Sequence, residues 1–154
     1  MITWGVVEKP EIHAFSRWVA NLIWPGKGRD FGNCQAMAVI EDDQLIAGCV
    51  WHNYEPDAGV IEISAGATSS RWLTRKTLAA MFGIPFKEWA IQCLVMRVDP
   101  EDEPLHRMLK AYGFELYAIP RLRGRDKDEH VFILTDDAWR ASKFNKKELA
   151  NGEA

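Results

Sequence analysis

Apolar and polar residues follow two different spacings along this chain, one typical of helices and one typical of strands. After Pro10, apolar residues recur every three or four positions, which predicts a first helix that reaches about Trp24. Short runs rich in Val, Ile and Leu, separated by Asp, Pro and Gly, predict strands. The predicted strands are residues 2–8, 35–41, 45–54, 60–65, 91–98, 114–122 and 130–134.

Two further helices follow from the same helical spacing. The first covers about 72–82, where Gly83 and Pro85 predict its end. The second begins near Pro104 and ends at Gly113, the residue type preferred just after a helix. The predicted order of elements is therefore β-α-β-β-β-α-β-α-β-β, a mixed α+β arrangement.

Composition narrows the class of protein. The 154 residues, 47% hydrophobic and 27% charged, suit one globular domain, which we place at 1–140, followed by a polar tail at 141–154. The net charge of -3 argues against non-specific binding of nucleic acid. No apolar run approaches the roughly 20 residues of a membrane span, and the N-terminus lacks a secretory pattern. The three cysteines have no CxxC spacing, so we expect no disulfide framework, no metal site and a cytoplasmic location.

The segment of residues 69–75 holds the clearest candidate for ligand chemistry. It joins an apolar strand to a helix, and a helix start presents unpaired backbone N–H groups and the positive end of the helix dipole. Arg71 and Arg75 add charge and can grip phosphate oxygens with two N–H groups each. This combination predicts a site for a pyrophosphate group.

The order of elements, this loop and a later helix that ends in Gly-Phe resemble the GNAT superfamily of acetyl-CoA-dependent N-acetyltransferases. The resemblance covers about residues 2–139 and rests on 69–78, on 98–114 and on the closing strand with its acidic turn, 131–139. It implies a central mixed, mostly antiparallel sheet of about seven strands, flanked by helices and splayed between the fourth and fifth strands. The Trp-Leu-Thr-Arg form of the loop resembles phage-encoded members.

The resemblance also implies acetyl-CoA as the cofactor. Its pantetheine arm would pair with the backbone of the fourth strand in the splay, and its pyrophosphate would meet the N–H groups of the loop. Ser70 and Thr74 stand where the family usually has glycines, and Asp102 stands where it often has Asn. The cofactor-binding residues that this implies are Ile63, Ser64, Ala65, Arg71, Trp72, Leu73, Thr74, Arg75 and Asp102.

Acetyl transfer to an amine requires a group that removes a proton from the nitrogen. Glu62 on the fourth strand is the first candidate for this base, and His52 and Glu55 on the preceding strand are the next. The reaction also uses an acid that donates a proton to the leaving thiolate. In the family this acid is usually a Tyr four residues before the Gly of Gly-Phe, a position held here by Leu109. Tyr54 and Tyr117 are therefore the candidate donors of a proton to the leaving thiolate, which could also leave unassisted because thiols are fairly acidic.

The predicted function is transfer of an acetyl group from acetyl-CoA to a primary amine, by direct attack in a ternary complex. The acceptor would be a small molecule or a protein. Leu109 and the Ser and Thr of the loop leave a second hypothesis open: a GNAT-fold phage protein with weak or lost catalysis that binds a host or virion protein. The basic segment 123–127 keeps open a third, modification of DNA bases. We expect no membrane association, and a homodimer stays open.

Overall fold

The computed structural model describes residues 1–144, which form a domain around a single seven-stranded sheet. In space the strands run in the order β1-β2-β3-β4-β5-β7-β6, and each pair of neighbours is antiparallel except β4 with β5. The predicted mixed, mostly antiparallel sheet is confirmed. The strands are β1 (Ile2–Val6), β2 (Cys34–Glu41), β3 (Gln44–Glu55), β4 (Val60–Ala67), β5 (Cys93–Val98), β6 (Glu115–Gly124) and β7 (Lys127–Thr135).

Helices cover both faces of the sheet. They are α1 (Ile12–Ile23), α2 (Arg75–Glu88), α3 (Glu103–Tyr112) and α4 (Asp136–Ala141). Successive strand residues point to opposite faces, and Val50 packs in the cluster around α1 whereas Trp51 packs in the larger core with α2 and α3. Within the described residues, no helix has the length and apolar character needed to cross a membrane.

Two glycines allow α1 to pack directly on the backbone of β3 and β4. A Cβ atom on Gly48 would lie 2.5 Å from Cγ2 of Val19 and 2.7 Å from Cζ of Phe15. A Cβ atom on Gly66 would lie 3.0 Å from Cβ of Leu22. Since no other residue type lacks a Cβ, these glycines fix how closely α1 approaches, and they position the loop that follows it.

The strands β4 and β5 separate after four paired positions. Residues 60–63 pair in parallel with 93–96, and the pairing of Ile63 with Met96 is the last. β3 continues to pair with β4 as far as Ala67. Residues 64–67 therefore have one paired edge and one open edge, and the splay expected from the sequence is present.

The loop before α2 differs from the prediction. Ser70–Trp72 forms a short 3-10 turn, and α2 begins at Arg75 instead of Trp72. Thr74 caps the helix by accepting a hydrogen bond from the backbone N–H of Thr77, as a hydroxyl residue at this position commonly does. The residues that we expected in the first helical turn thus lie before the helix.

The predicted end of α2 at Gly83 and Pro85 is wrong, because the helix continues to Glu88. Proline has no N–H, so Pro85 leaves the carbonyl of Met81, four residues earlier, without its helical partner. The indole Nε1–H of Trp51 donates to that carbonyl at 3.0 Å. A side chain of β3 thereby compensates for a helix-breaking residue.

The chain after β7 also departs from the prediction. The expected acidic turn at Asp136 and Asp137 is the first turn of α4, capped by Thr135, whose hydroxyl accepts from the N–H of Ala138 at 3.1 Å. The ring of Trp139 stacks on that of Phe86 in α2, with centroids 5.0 Å apart. Most of the predicted polar tail, residues 145–154, lies outside the described part of the chain.

Candidate active site

Three polar side chains meet where β3 and β4 face the α1 side of the sheet. His52 and Glu62 lie directly opposite each other in the antiparallel register, and Ser64 follows two residues later on the same face of β4. Nε2 of His52 lies 2.8 Å from Oγ of Ser64 and 3.8 Å from Oε2 of Glu62. The structure thus brings together two of the predicted catalytic residues, and adds the Ser64 hydroxyl.

His52 is a buried histidine with only 6% of its surface exposed. The ring of Phe31 packs against it, with centroids 4.7 Å apart. Burial lowers the pKa of His52 below the usual imidazole value, and the nearby Glu62 carboxylate opposes this shift more weakly. The imidazole is therefore mainly neutral near pH 7, the form in which it accepts a proton.

Glu62 is held by a neighbour that the sequence did not indicate. Nδ2 of Asn53 donates a hydrogen bond to Oε1 of Glu62 at 2.9 Å, while Oε2 faces His52. Asn53 has a φ of 51°, at an irregularity in the pairing of β3 with β4 between His52 and Glu55. Asn tolerates this left-handed conformation better than most residues, and that is the one sequence signal that could have marked the position.

Tyr54 does not join this group. Its hydroxyl donates to the backbone carbonyl of Trp89 at 3.2 Å, and it lines a cavity of about 910 Å³ with Trp51 and Trp89. Glu62 lines a different cavity, and among residues 1–144 His52 alone borders both. We therefore remove Tyr54 from the candidate proton donors beside Glu62.

The cavity beside Glu62 has a volume of about 630 Å³, within the usual range for small-ligand sites. Its walls come from the loop after α1, from the splayed strands, from the start of α3 and from β6 and β7. Ala65 and Met96 line it at the point where β4 and β5 separate. Its charged lining residues are Arg29, Asp30, Glu62, Arg97, Arg123 and Glu129.

One wall of this cavity is an ion-pair network around a buried carboxylate. Glu129 is only 3% exposed, and its carboxylate accepts from Nε of Arg97 at 3.1 Å and from Nη1 of Arg123 at 2.7 Å. Arg123 also lies 3.6 Å from Asp99. Two of the three arginines in the lining, Arg97 and Arg123, thus form ion pairs with carboxylates of the protein itself.

The loop of residues 69–75 forms much of its hydrogen bonding internally. The N–H of Leu73 donates to the carbonyl of Ser70 at 3.3 Å, and that of Thr74 donates to Oγ1 of Thr77 at 2.9 Å. The N–H groups of Leu73 and Thr74, which the prediction directed to a pyrophosphate, therefore already have hydrogen-bond partners within the protein. Among the described residues, the start of α2 leaves only the N–H groups of Arg75 and Lys76 without a partner.

The two arginines of the loop point to different partners. Nη2 of Arg71 lies 2.7 Å from the carboxylate of Glu41 at the end of β2. The guanidinium of Arg75 lies 5.0 Å from the ring centroid of Phe144. Trp72 is buried in the core, so it does not cover a ligand as an exposed loop residue would.

The remaining predicted residues occupy supporting positions. The carboxylate of Asp102 caps α3 by accepting from the N–H of Leu105 at 3.3 Å. Leu109, at the family's usual tyrosine position, is completely buried. Ala65 lies on the open edge of β4, whereas Ile63 is still paired with β5. Over residues 1–144, no group of three or more His, Cys, Asp or Glu side chains is placed to hold a metal ion.

Solved structures that superpose on this chain include acetyltransferases. A mutant form of the spermidine/spermine N-acetyltransferase SpeG from Vibrio cholerae superposes with a TM-score of 0.71 at 10% identity, over 92% of this chain and 98% of SpeG. YncA from Salmonella typhimurium, a putative acetyltransferase solved with its cofactor acetyl-CoA, gives 0.66 at 13% identity, over 87% and 93%. No protein-family model and no curated protein matches the sequence. The chain therefore has the GNAT fold.

Proposed function

We propose that this protein is an N-acetyltransferase that moves an acetyl group from acetyl-CoA to a primary amine. The observation that carries the proposal is the position of Glu62 and His52 beside a cavity that opens where β4 and β5 separate. The activity of SpeG supports the choice of reaction, and the cofactor in YncA supports the choice of acetyl donor.

The chain offers more to the pantetheine arm of acetyl-CoA than to its pyrophosphate. The open edge of β4 at residues 64–67 offers backbone groups to the pantetheine amides, in the manner of an added strand. For the pyrophosphate, the start of α2 offers the N–H groups of Arg75 and Lys76 and the guanidinium of Arg75. When bound, acetyl-CoA supplies an acetyl group activated as a thioester.

In the net reaction, the ammonium form of the acceptor and the thioester give the amide, free CoA thiol and one released proton. A C–N bond replaces the C–S bond, two protons leave the nitrogen and one proton ends on the sulfur. The Glu62 carboxylate accepts the first, which leaves a neutral amine able to attack. Neutral His52, 3.8 Å from Glu62, offers an acceptor for the second, and Ser64 holds its Nε2 at 2.8 Å. Asn53 keeps the other Glu62 oxygen in place, so the carboxylate is oriented before the acceptor arrives.

The cofactor assignment is tested by calorimetry with acetyl-CoA and by thiol release in the presence of amines. We expect binding, and we expect Arg75→Ala to weaken it several-fold more than Arg71→Ala, because Arg71 already pairs with Glu41. Arg107→Ala, in an exposed pair with Glu103 on α3, is the matched control. Absence of heat at millimolar acetyl-CoA would overturn the proposal.

The lowered pKa of His52 predicts an acid limb in the pH profile of kcat/KM. Because burial lowers this pKa, the limb lies below the ordinary imidazole value of about 6.5. Activity falls as pH drops through it, since a protonated imidazole accepts no further proton. We expect His52→Gln to remove the limb, and an unchanged profile in this variant would exclude His52 as the titrating group.

The same shift predicts a pH effect on stability that needs no substrate. A histidine with a lower pKa in the folded state takes up its proton more readily when the chain unfolds, so its contribution is lost as pH falls below about 6.5. Between about pH 7.5 and about pH 5.5, the Tm of the wild type should fall more than that of His52→Gln. Equal decreases would contradict the burial of a neutral imidazole.

A protein that keeps the fold without catalysis is the second candidate function. The internally bonded loop before α2 and the buried Leu109 favour it, because both weaken features used by active members of the resembled family. Such a protein, acting by binding a host or virion protein, would release no thiol from acetyl-CoA with any amine. Thiol release dependent on Glu62 would rule it out.

A further inference from the structure

Resting on the proposed function, we infer that the acceptor is an amine that also carries a carboxylate, and that Arg29 binds this carboxylate. The lining of the Glu62 cavity contains two groups of different chemistry: the proton-accepting pair His52 and Glu62, and Arg29 from the loop that follows α1. An acceptor with a cationic amine and an anionic carboxylate complements both.

Arg29 is the cation in the lining that the protein does not neutralise itself. Arg97 and Arg123 are both paired with the buried Glu129. Arg29 has no carboxylate within ion-pair distance among residues 1–144. It is exposed, so holding a charge there costs little, and a guanidinium matches a carboxylate with two parallel N–H groups.

The guanidinium of Arg29 is also held in place. It lies 3.8 Å from the ring centroid of Trp24, a cation–π contact that limits the orientations of a long side chain. The ring of Trp24 packs on Phe31 with centroids 5.7 Å apart, and Phe31 packs on His52 at 4.7 Å. A row of packed aromatic rings therefore connects Arg29 with His52.

Charge also disfavours the obvious competing acceptor, a diamine without a carboxylate. The carboxylate of Glu62 has no Lys or Arg partner in the described chain, so it can receive one ammonium group. A second ammonium group would lie towards Arg29, where like charges repel. Of the two other acidic lining residues, Asp30 accepts a hydrogen bond from the N–H of Gly32 in the same loop, and Glu129 is already paired with Arg97 and Arg123.

The test uses matched pairs that differ only by the carboxylate, such as phenylalanine with phenethylamine, histidine with histamine, and lysine with cadaverine. We expect thiol release with acetyl-CoA to show about tenfold or higher kcat/KM for the carboxylate-bearing member of at least one pair, about 1.4 kcal/mol. Arg29→Gln should reduce that ratio to about one to three, and Arg29→Lys should restore part of it. Arg125→Gln, in the exposed turn between β6 and β7, should leave it unchanged.

The experiment distinguishes a failure of the inference about Arg29 from a failure of the proposed acetyltransferase function. If every decarboxylated amine is acetylated as well as its partner, the inference about Arg29 is wrong and the acetyltransferase function stands. If no amine causes thiol release, that function fails, and calorimetry with the same pairs decides about Arg29. Binding of the carboxylate-bearing member alone, lost in Arg29→Gln, would support the inference, and absence of binding by both members of every pair would overturn it.

Discussion

We expect Glu62→Gln to lower kcat/KM for the amine acceptor by about 10² to 10⁴, the usual contribution of a positioned base. Glutamine keeps the size of the side chain and retains an oxygen that accepts from Nδ2 of Asn53, but it cannot take a proton. Affinity for acetyl-CoA should not change. Thiol release at saturating acetyl-CoA measures the rate, and calorimetry measures the affinity.

The loss in Glu62→Gln should shrink as pH rises, because the acceptor then arrives with its amine already neutral. Glu55→Gln is the matched control, since Glu55, the other carboxylate considered as the base, lies at the exposed end of β3. A variant that keeps its activity within about threefold at neutral pH would remove Glu62 as the base. His52 would then be the first acceptor of the amine proton.

Gly48→Ala is expected to give the largest loss of stability from a single added methyl group. Its Cβ would lie within 3 Å of Val19 and Phe15, so α1 or these side chains must move. Overpacking of this kind costs about 1 to 3 kcal/mol. For a domain of this size, that corresponds to a decrease in Tm of roughly 3 to 9 °C, measurable by thermal unfolding.

Gly5→Ala is the control for this prediction. Gly5 lies in the edge strand β1, where an added Cβ meets no atom within 4 Å. The Tm of the Gly5→Ala variant should change little. A similar decrease in both variants would show that loss of glycine in a strand, and not the contact with α1, causes the effect.

The sheet could be predicted from the sequence because each strand is an apolar run bounded by Asp, Gly or Pro. The end of α2 could not, because the cost of Pro85 is offset by Trp51, which lies 30 residues before Met81 in the chain. The sequence does not reveal α4, since six residues are too few to show a helical repeat. In the case of α2, the deciding contact is tertiary.

Part of the candidate site could also be predicted. Glu62 and His52 follow from the family resemblance, and the antiparallel register explains why they meet. Asn53 and Arg29 escape prediction because their roles depend on a strand irregularity and on a loop conformation. The pairing of Thr74 with Thr77 is visible in the sequence as a hydroxyl residue followed three positions later by another hydrogen-bonding residue. Its effect, which is to engage the Thr74 N–H that the prediction left open to phosphate, depends on the folded geometry.

The open edge of β4 has a thermodynamic consequence for ligand binding. Without a ligand, the backbone groups of residues 64–67 that face the splay are hydrated, and a ligand amide that pairs with them displaces this water. The exchange of one hydrogen bond for another yields little net free energy. The open edge of β4 therefore sets the direction in which an extended ligand enters. The residence time of that ligand depends on the apolar and charged contacts at its two ends.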